Sequence, residues 1–182
     1  MLCDMNIGRF IVGTSAALAV FAAVGFGFTV FGERPLYLAG DGEITCTPHT
    51  TDDLSFGIHL WNDGDSDVTL KAIDFDTLEG LTVTDTWVAI SDPQPDGTTL
   101  GYGLMPYPPD EDHPSWDDRV PLRNAVIEPG EDISVVIRVA LSPGESAHLA
   151  GAHVRYTGSG TALGATASSN VQFYVGDPSG CE

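Results

Sequence analysis

The chain has 182 residues, of which 26 are acidic and 7 are basic, and its formal net charge at pH 7 is −19. All but two of its Asp, Glu, Lys and Arg residues follow residue 32, so the C-terminal part carries the whole excess of acid. So few basic residues exclude nucleic-acid binding through phosphate contacts and disfavour adsorption to anionic lipid headgroups. The length allows one membrane segment and one domain, and hardly two domains.

The first element is an uncharged apolar run at residues 10–32. As a helix it spans about 34 Å, enough to cross the hydrocarbon core of a bilayer. We therefore predict a short cytoplasmic N-terminus at residues 1–9, a transmembrane signal anchor at 10–32 and an extracytoplasmic domain at 33–182. A cleaved signal peptide is the alternative, because residues 17–19 form a small-x-small cleavage pattern, although the apolar run continues beyond them.

The orientation of this segment is not fixed by charge, because Arg9 and Arg34 flank it on opposite sides. Cys46 and Cys181 lie near the two ends of the domain, and we predict a disulfide between them that requires their strands to be neighbours. The alternative is two unpaired thiols. A disulfide favours an oxidising compartment, so we expect the domain to lie outside the cytoplasm, on a cell membrane crossed once.

The rest of the chain alternates apolar and polar residues with a period of two, which is typical of antiparallel strands with one buried face. Seven to nine such strands predict an all-β fold, an immunoglobulin-like antiparallel β-sandwich, with a closed barrel as the alternative. The main runs lie at residues 54–60, 68–72, 81–90, 133–141, 154–156 and 171–175, with weaker runs around Tyr37 and Ile44.

Two turns and one long insertion separate these strands. Residues 62–65, Asn-Asp-Gly-Asp, predict a hairpin loop, and residues 128–131, Glu-Pro-Gly-Glu, predict a tight turn with proline at its second position. Residues 105–118 hold four prolines and five acids, so they are expected to form neither a strand nor more than one helical turn. We interpret this segment as an exposed loop at one end of the sandwich.

Part of the chain resembles bacterial immunoglobulin-like domains of the CARDB type. The resemblance covers residues 54–141 and consists of an alternating strand, an Asn-x-Gly turn, a Val-Thr-Leu strand, and an Ile-x-Pro-Gly-Glu turn before a second alternating strand. The residues that carry it are Asn62, Gly64, Val68, Thr69, Leu70, Ile127, Pro129, Gly130 and Glu131. It implies a fold and a surface location, and it transfers no functional residues.

The candidate sites lie mainly in the 105–118 segment. Carboxylates are the ligands that hard cations prefer, which makes Asp110, Asp112, Asp117 and Asp118 candidate metal ligands. Aromatic residues beside acids can form a protein- or sugar-binding patch. This makes the segment the best candidate for an interaction loop, with Tyr107, Asp110, His113 and Trp116 as its contact residues. The alternatives are that the aromatic side chains pack down and that the acids are solvated.

A second acidic run, Asp63, Asp65 and Asp67, partly imitates an EF-hand loop. However, Val68 occupies the sixth position, where that loop needs glycine, so a polar turn is the preferred interpretation. No nucleophile elbow, zinc spacing or phosphate-binding loop is present in the sequence, so no cofactor and no catalytic residue are expected.

The function that we predict is a non-enzymatic, membrane-anchored interaction or structural module, such as an accessory subunit of an envelope or membrane assembly. The alternative is a cation- or glycan-binding module that uses the 105–118 loop. The expected partners are the membrane, through residues 10–32, and a protein of unknown identity.

Overall fold

The structure, a computed structural model, describes residues 35–40, 42–48, 53–93, 99–100, 102–109, 113–142, 146–158 and 164–176. One single-turn 3-10 helix, Pro114–Asp118, accompanies the strands. In chain order from β1 to β13, the strands are Leu36–Leu38, Ile44–Thr47, Asp53–Asn62, Val68–Glu79, Leu81–Ile90, Asp92–Pro93, Thr99–Leu100, Met105–Pro106, Val120–Pro121, Val126–Ile127, Asp132–Leu141, Ala147–Gly158 and Ala165–Val175.

The strands form two main sheets. Sheet A has the order β1-β3-β11-β5-β9, with β8 also paired to β3, and sheet B has the order β10-β4-β12-β13-β2. The strands β1, β3, β11 and β5 of one sheet and β4, β12 and β13 of the other follow the ABED and CFG arrangement of immunoglobulin domains. The predicted immunoglobulin-like sandwich is therefore confirmed, and the barrel alternative is wrong.

One pair of the described strands is parallel, although antiparallel pairing was predicted throughout. Strand β2 runs parallel to β13, with Cys46 opposite Tyr174 and Thr47 opposite Val175, whereas the other paired strands are antiparallel. The chain therefore leaves sheet A after β1 and joins sheet B beside β13 as β2. This crossing places the segment between β1 and β2 at one open side of the sandwich.

The core lies between the two sheets and is formed by the alternating apolar residues that the sequence indicates. Burial of these apolar faces, at about 25 cal/mol per Å², is the main force that holds the sheets together. From β3 and β11 the core residues are Leu54, Phe56, Ile58, Leu60, Ile133, Val135, Ile137, Val139 and Leu141. From β12 and β13 they include Leu149, Val154, Tyr156, Val171, Phe173 and Val175.

The turn at residues 62–65 is not a hairpin loop, because β3 belongs to sheet A and β4 to sheet B. Asn62 is fully buried, and its side-chain Nδ2 donates to the carbonyl oxygens of Ser66 at 2.9 Å and Ile127 at 3.0 Å. Its Oδ1 accepts a hydrogen bond from the N–H of Gly64 at 3.0 Å. These polar residues stabilise the segment in which the chain crosses from sheet A to sheet B. Such a crossing has the same local sequence pattern as a hairpin loop.

The second turn is as predicted. Glu131 N–H donates to the carbonyl oxygen of Glu128 at 3.1 Å, and Gly130 has φ +75°, the conformation that a type II turn requires at its third residue. Glu131 also accepts a hydrogen bond from the N–H of Glu128 through its carboxylate, at 2.8 Å. The turn leads directly into β11.

The predicted anchor at residues 10–32 lies outside the described residues. Within the described ranges, no helix is both long enough and apolar enough to cross a membrane. Cys181 also lies outside them, so the disulfide stays a prediction.

Candidate functional site

The connection between β5 and β11 comprises residues 91–131, and we call it the insertion. Instead of projecting from one end, its described part up to Trp116 packs on the outer face of sheet A, whereas residues 122–127 join the main core and the edge of sheet B. Tyr102 and Trp116 from the insertion are buried against Ala89 of β5 and Val136 of β11. Val136 points away from the main core, so the insertion gives sheet A a second buried face.

Two arginines complete this aromatic cluster. The guanidinium of Arg119 lies 4.3 Å from the ring centre of Trp116 and 5.8 Å from that of Trp87. The guanidinium of Arg138 lies 4.1 Å from the ring centre of Tyr107. Such cation–π contacts contribute about 0.5–2 kcal/mol each, depending on burial. The insertion is thus held by aromatic and cationic side chains rather than by long strand pairing.

The structure places three of the four predicted contact residues of the 105–118 loop in this cluster. Trp116 and His113 are each 7% exposed, and His113 stacks on Tyr102 with ring centres 4.4 Å apart. Tyr107 is half-buried and stacks on Trp87 at 5.7 Å. Asp110 lies outside the described residues. Of the two alternatives for these aromatics, the structure shows the packed one, so few of their ring faces are open to a ligand.

The predicted metal ligands are not brought together by the part of the chain that is described. Asp117 and Asp118 are exposed at the end of the 3-10 helix, and Asp110 and Asp112 lie outside the described residues. The second acidic run, Asp63 to Asp67, lies in the exposed crossing from β3 to β4. Among the described residues, no group of three or more His, Cys, Asp or Glu side chains is placed to hold a metal ion.

Asp53 and Arg138 form the best-defined ion pair on the outer face of sheet A. Arg138 Nε donates to both carboxylate oxygens of Asp53, at 2.9 and 3.1 Å, and a second guanidinium nitrogen donates to Oδ2. This hydrogen bonding lowers the pKa of Asp53 below its ordinary value. The pair therefore stabilises the fold fully above the unfolded pKa of aspartate, and this contribution is lost as pH falls through the folded pKa.

We expect the loss of this pair to appear as a decrease in the free energy of unfolding below about pH 4, which we call the acid limb. Asp53→Asn should flatten that limb and cost less than about 1 kcal/mol at neutral pH, because the carboxylate is partly solvated. Urea unfolding midpoints across the acidic range measure both effects. Asp74→Asn, at a more exposed pair with Arg155, is the matched control and should change neither. An unchanged acid limb in Asp53→Asn would rule out this pair as its source.

A cleft opens where the chain crosses from sheet A to sheet B, and we call it the edge cleft. Its walls come from Ala39, Gly40, Glu43 and Thr45 around the β1–β2 crossing, from residues 57–59 of β3, from residues 102–104 of the insertion, and from Val171 and Phe173 of β13. Its volume is about 330 Å³, at the lower end of the range for ligand sites. The deeper walls are apolar, whereas Glu43 and His59 supply charge or polarity.

The edge cleft coincides with an interruption in strand pairing. On this edge of β3, β1 pairs with residues 60–62 and β8 with residues 54–55. Asp53 and His59 accept backbone hydrogen bonds on the same edge, from Tyr107 at 3.2 Å and Ala39 at 2.8 Å. Because alternate residues of a strand point to the same side, the N–H and C=O of Gly57 also face this edge. Within the described strands, the ladder partner of Gly57 is Val136, on the opposite side.

Gly57 also lets the insertion approach the sheet. A Cβ at this position would overlap the carbonyl oxygen and Cβ of Tyr102. Gly57→Ala is expected to displace residues 102–104 and lower the free energy of unfolding by about 1–3 kcal/mol, as overpacking does. Gly103→Ala is the matched control, because nothing lies within 4 Å of its added Cβ. Chemical denaturation measures the difference, and equal stabilities of the two variants would contradict this packing.

The outer rim of the cleft continues along β3. His59 Nδ1 lies 3.3 Å from Asp132 Oδ1, and Ser91 Oγ lies 3.5 Å from the same oxygen. Two residues further along, Trp61 stacks on Tyr37 with ring centres 5.2 Å apart, and both rings are substantially exposed. The rim therefore presents an aromatic pair and a polar pair beside the opening.

The outer face of sheet B holds a serine, histidine and aspartate in line. His153 Nδ1 lies 2.8 Å from Ser168 Oγ, and Nε2 lies 2.9 Å from Asp76 Oδ1. A serine, a histidine and an aspartate in this order are the side chains of an acyl-transfer triad, but that reaction also needs an enclosed substrate site and oxyanion donors. None of these three residues lines the edge cleft. All three are at an open sheet surface, so we interpret them as a cross-strand contact that ties β4, β12 and β13 together.

The edge cleft was not predictable from the sequence, because its walls come from four segments far apart in the chain. The one local signal is Gly57, which interrupts an otherwise well-formed strand. A glycine inside a strand often marks a close approach of another backbone, which is its role here. Glu43 and Gly103 have no sequence pattern that distinguishes them from other loop residues.

Comparisons with known proteins leave the family open. No protein-family model matches the chain, and no curated protein matches it. Similar solved structures include a PapD-like (ASH) domain of human CEP192, with 10% identity, a TM-score of 0.40, and coverage of 96% of this chain and 97% of that one. The VesB protease of Vibrio cholerae has 9% identity and a TM-score of 0.39; the match covers 79% of this chain and 32% of the protease.

A pilin subunit, CooA of enterotoxigenic Escherichia coli, has 8% identity and a TM-score of 0.30, with coverage of 79% of this chain and 99% of the pilin. All three TM-scores are below 0.5, so the fold assignment rests on the strand order of the chain itself. The three proteins differ in function, and none of their activities is transferred.

Proposed function

We propose that the chain is a non-enzymatic interaction module, held on the outer face of a cell membrane by residues 10–32, that contacts a protein partner through the edge cleft. The observation that carries this proposal is the interrupted pairing of β3, where an accessible cavity adjoins backbone groups of Gly57 that face away from the sheet. Unpaired strand edges are sites at which other chains dock by hydrogen bonding to the backbone.

The fixed position of the insertion supports the same proposal. One wall of the cleft is formed by residues 102–104, and Tyr102 is held by stacking on His113 and by a hydrogen bond between its hydroxyl and Ser115 at 2.8 Å. A preformed wall reduces the ordering cost of binding. We infer that the aromatic cluster stabilises this wall, while contact with the partner occurs at the adjacent cleft and its rim.

The placement outside the cytoplasm is supported by the neighbouring positions of β2 and β13. The N–H of Gly176 donates to the carbonyl oxygen of Thr47 at 3.0 Å, next to Cys46. Five residues then lead to Cys181, a reach of up to about 16 Å, which is long enough for a disulfide to Cys46. We expect a non-reducing peptide map of the membrane-purified chain to join the two cysteine peptides. Recovery of both as free thiols would contradict this part of the proposal.

Site-specific photocrosslinking in native membranes tests the partner contact. A photoreactive residue at Tyr37, on the rim, is expected to give a discrete adduct that is lost in Gly103→Trp, where the added ring occupies the cleft. Gly103→Ala should retain the adduct. Thr84, exposed on the far edge of the same sheet, is the control position and should give none. The absence of any adduct from Tyr37, or the same adducts from both positions, would overturn the proposal.

A further inference from the structure

The edge cleft is lined by apolar side chains and by one carboxylate, and this combination favours some partner side chains over others. Its apolar wall contains Ile58, Val171 and Phe173, each at most 5% exposed, and half-buried Leu104. Its volume of about 330 Å³ is sufficient for one long side chain. An aliphatic stem would be covered by this wall, at about 25 cal/mol per Å² of apolar surface removed from water.

The charge in the cleft is negative and is not balanced locally. Glu43 lies in the wall, and no lysine or arginine is among the described residues that line the cleft. His59 lines the cleft from β3, and its side chain is already paired with Asp132. Within the described part of the chain, the Glu43 carboxylate has no salt-bridge partner within 4.0 Å. A cation entering the cleft would therefore meet a carboxylate that is free to pair.

The backbone contributes a further acceptor. The carbonyl oxygen of Gly57 faces the same edge, and an ammonium group has three donors to distribute between it and a carboxylate. The field of the whole domain acts in the same direction, because a net charge of −19 attracts basic partners and repels acidic ones.

We infer, on the basis of the proposed function, that the edge cleft is a lysine pocket: it receives the side chain of a lysine from a basic surface of the partner protein. The methylene stem lies against Ile58, Leu104 and Phe173, and the ammonium group pairs with Glu43. The insertion therefore sets the width of the pocket through residues 102–104, and the β1–β2 crossing supplies the charge.

The test uses the full chain in detergent micelles and four blocked pentapeptides that differ only in the central residue: lysine, norleucine, arginine or glutamate. Binding is followed by isothermal titration or chemical-shift changes. We expect the lysine peptide to bind roughly tenfold more tightly than the norleucine peptide at low salt. The arginine peptide should bind more weakly than the lysine peptide, and the glutamate peptide should show no binding. Glu43→Gln should remove most of the lysine preference while leaving the norleucine affinity unchanged.

Control variants separate the pocket from general electrostatic attraction. Gly103→Trp should abolish binding of all peptides, whereas Thr84→Trp, the same bulky substitution at an exposed position on the far edge of the sheet, should not. Glu79→Gln, an exposed acid at the end of β4, should not change the lysine preference. Equal binding of lysine and norleucine peptides, or no binding of either, overturns the lysine pocket. So does n-butylamine binding as tightly as the lysine peptide, because a free amine site needs no partner surface. Each of these results leaves the photocrosslinking test intact, so failure of this inference and failure of the proposed function can be told apart.

Discussion

Trp116→Ala is expected to lower the free energy of unfolding by about 3–5 kcal/mol, the range for removing a buried tryptophan side chain. Trp116 contacts Trp87 edge-on at 5.3 Å, Tyr102 at 5.8 Å and Tyr107 at 6.1 Å, and Arg119 covers its face. Removing the ring leaves a cavity under the insertion and deprives Arg119 of its closest aromatic partner. Urea unfolding measures the loss, and limited proteolysis reports whether the insertion is released.

The control for this prediction is Trp61→Ala. Trp61 is 38% exposed and stacks on Tyr37, which is 49% exposed, so its removal exposes little new surface. We expect a cost of about 1 kcal/mol, in the range of an exposed aromatic pair. If the two variants lose equal stability, or if Trp116→Ala leaves the protease resistance of residues 102–119 unchanged, the insertion is not held by this cluster.

The packed insertion shows what the sequence could and could not predict about the fold. Alternation in the β3 and β11 segments correctly identified the residues that face the main core, such as Ile58 and Val135. Alternation reports the faces of a strand and carries no information on which strands pair. For this reason residues 62–65 predicted a hairpin, although they connect two different sheets. Turn chemistry was reliable at residues 128–131, where proline and glycine determine the backbone directly.

Residues 105–118 were expected to form an exposed loop for a related reason. Proline and acidic residues indicate the absence of regular structure, but they do not exclude packing by the aromatic residues between them. The strand β11 contained a signal of a second buried face: Val136 interrupts the polar positions Ser134 and Arg138. A single apolar residue on a polar face is common, so the signal was too weak to place Trp116 over it.

The candidate site was less predictable than the fold, because a cleft between segments depends on tertiary placement. No sequence pattern links the residues that frame it: Glu43 in the β1–β2 crossing, Gly57 in β3 and Gly103 in the insertion. Their proximity follows from the crossing of the chain between sheets and from the position of the insertion. Physical reasoning on sequence can identify the strands that frame such a cleft, whereas its width and charge require coordinates.

Asn62→Ala is expected to cost about 2–4 kcal/mol, because it removes one side chain that serves three backbone groups at the junction of the sheets. The amide donates to the carbonyl oxygens of Ser66 and Ile127 and accepts from the N–H of Gly64. The backbone of Asn62 also exchanges hydrogen bonds with the 128–131 turn, accepting from Gly130 N–H at 2.7 Å. The turns at residues 62–65 and 128–131 are thus joined through Asn62.

Asn62→Asp separates the two halves of this network. The substitution keeps the oxygen that accepts from Gly64 but replaces two donated hydrogen bonds by a buried negative charge beside two carbonyl oxygens. We expect it to cost more than Asn62→Ala at neutral pH. Burial raises the pKa of a carboxyl, and its protonated form can donate again, so the deficit relative to the native chain should narrow as pH falls. Unfolding curves at neutral and acidic pH measure this. Asp65→Ala, at an exposed position of the same crossing, is the control and should change stability by less than about 0.5 kcal/mol. A deficit for Asn62→Asp that stays constant with pH would show that the side chain at position 62 is solvated, and that the junction is held by backbone bonds alone.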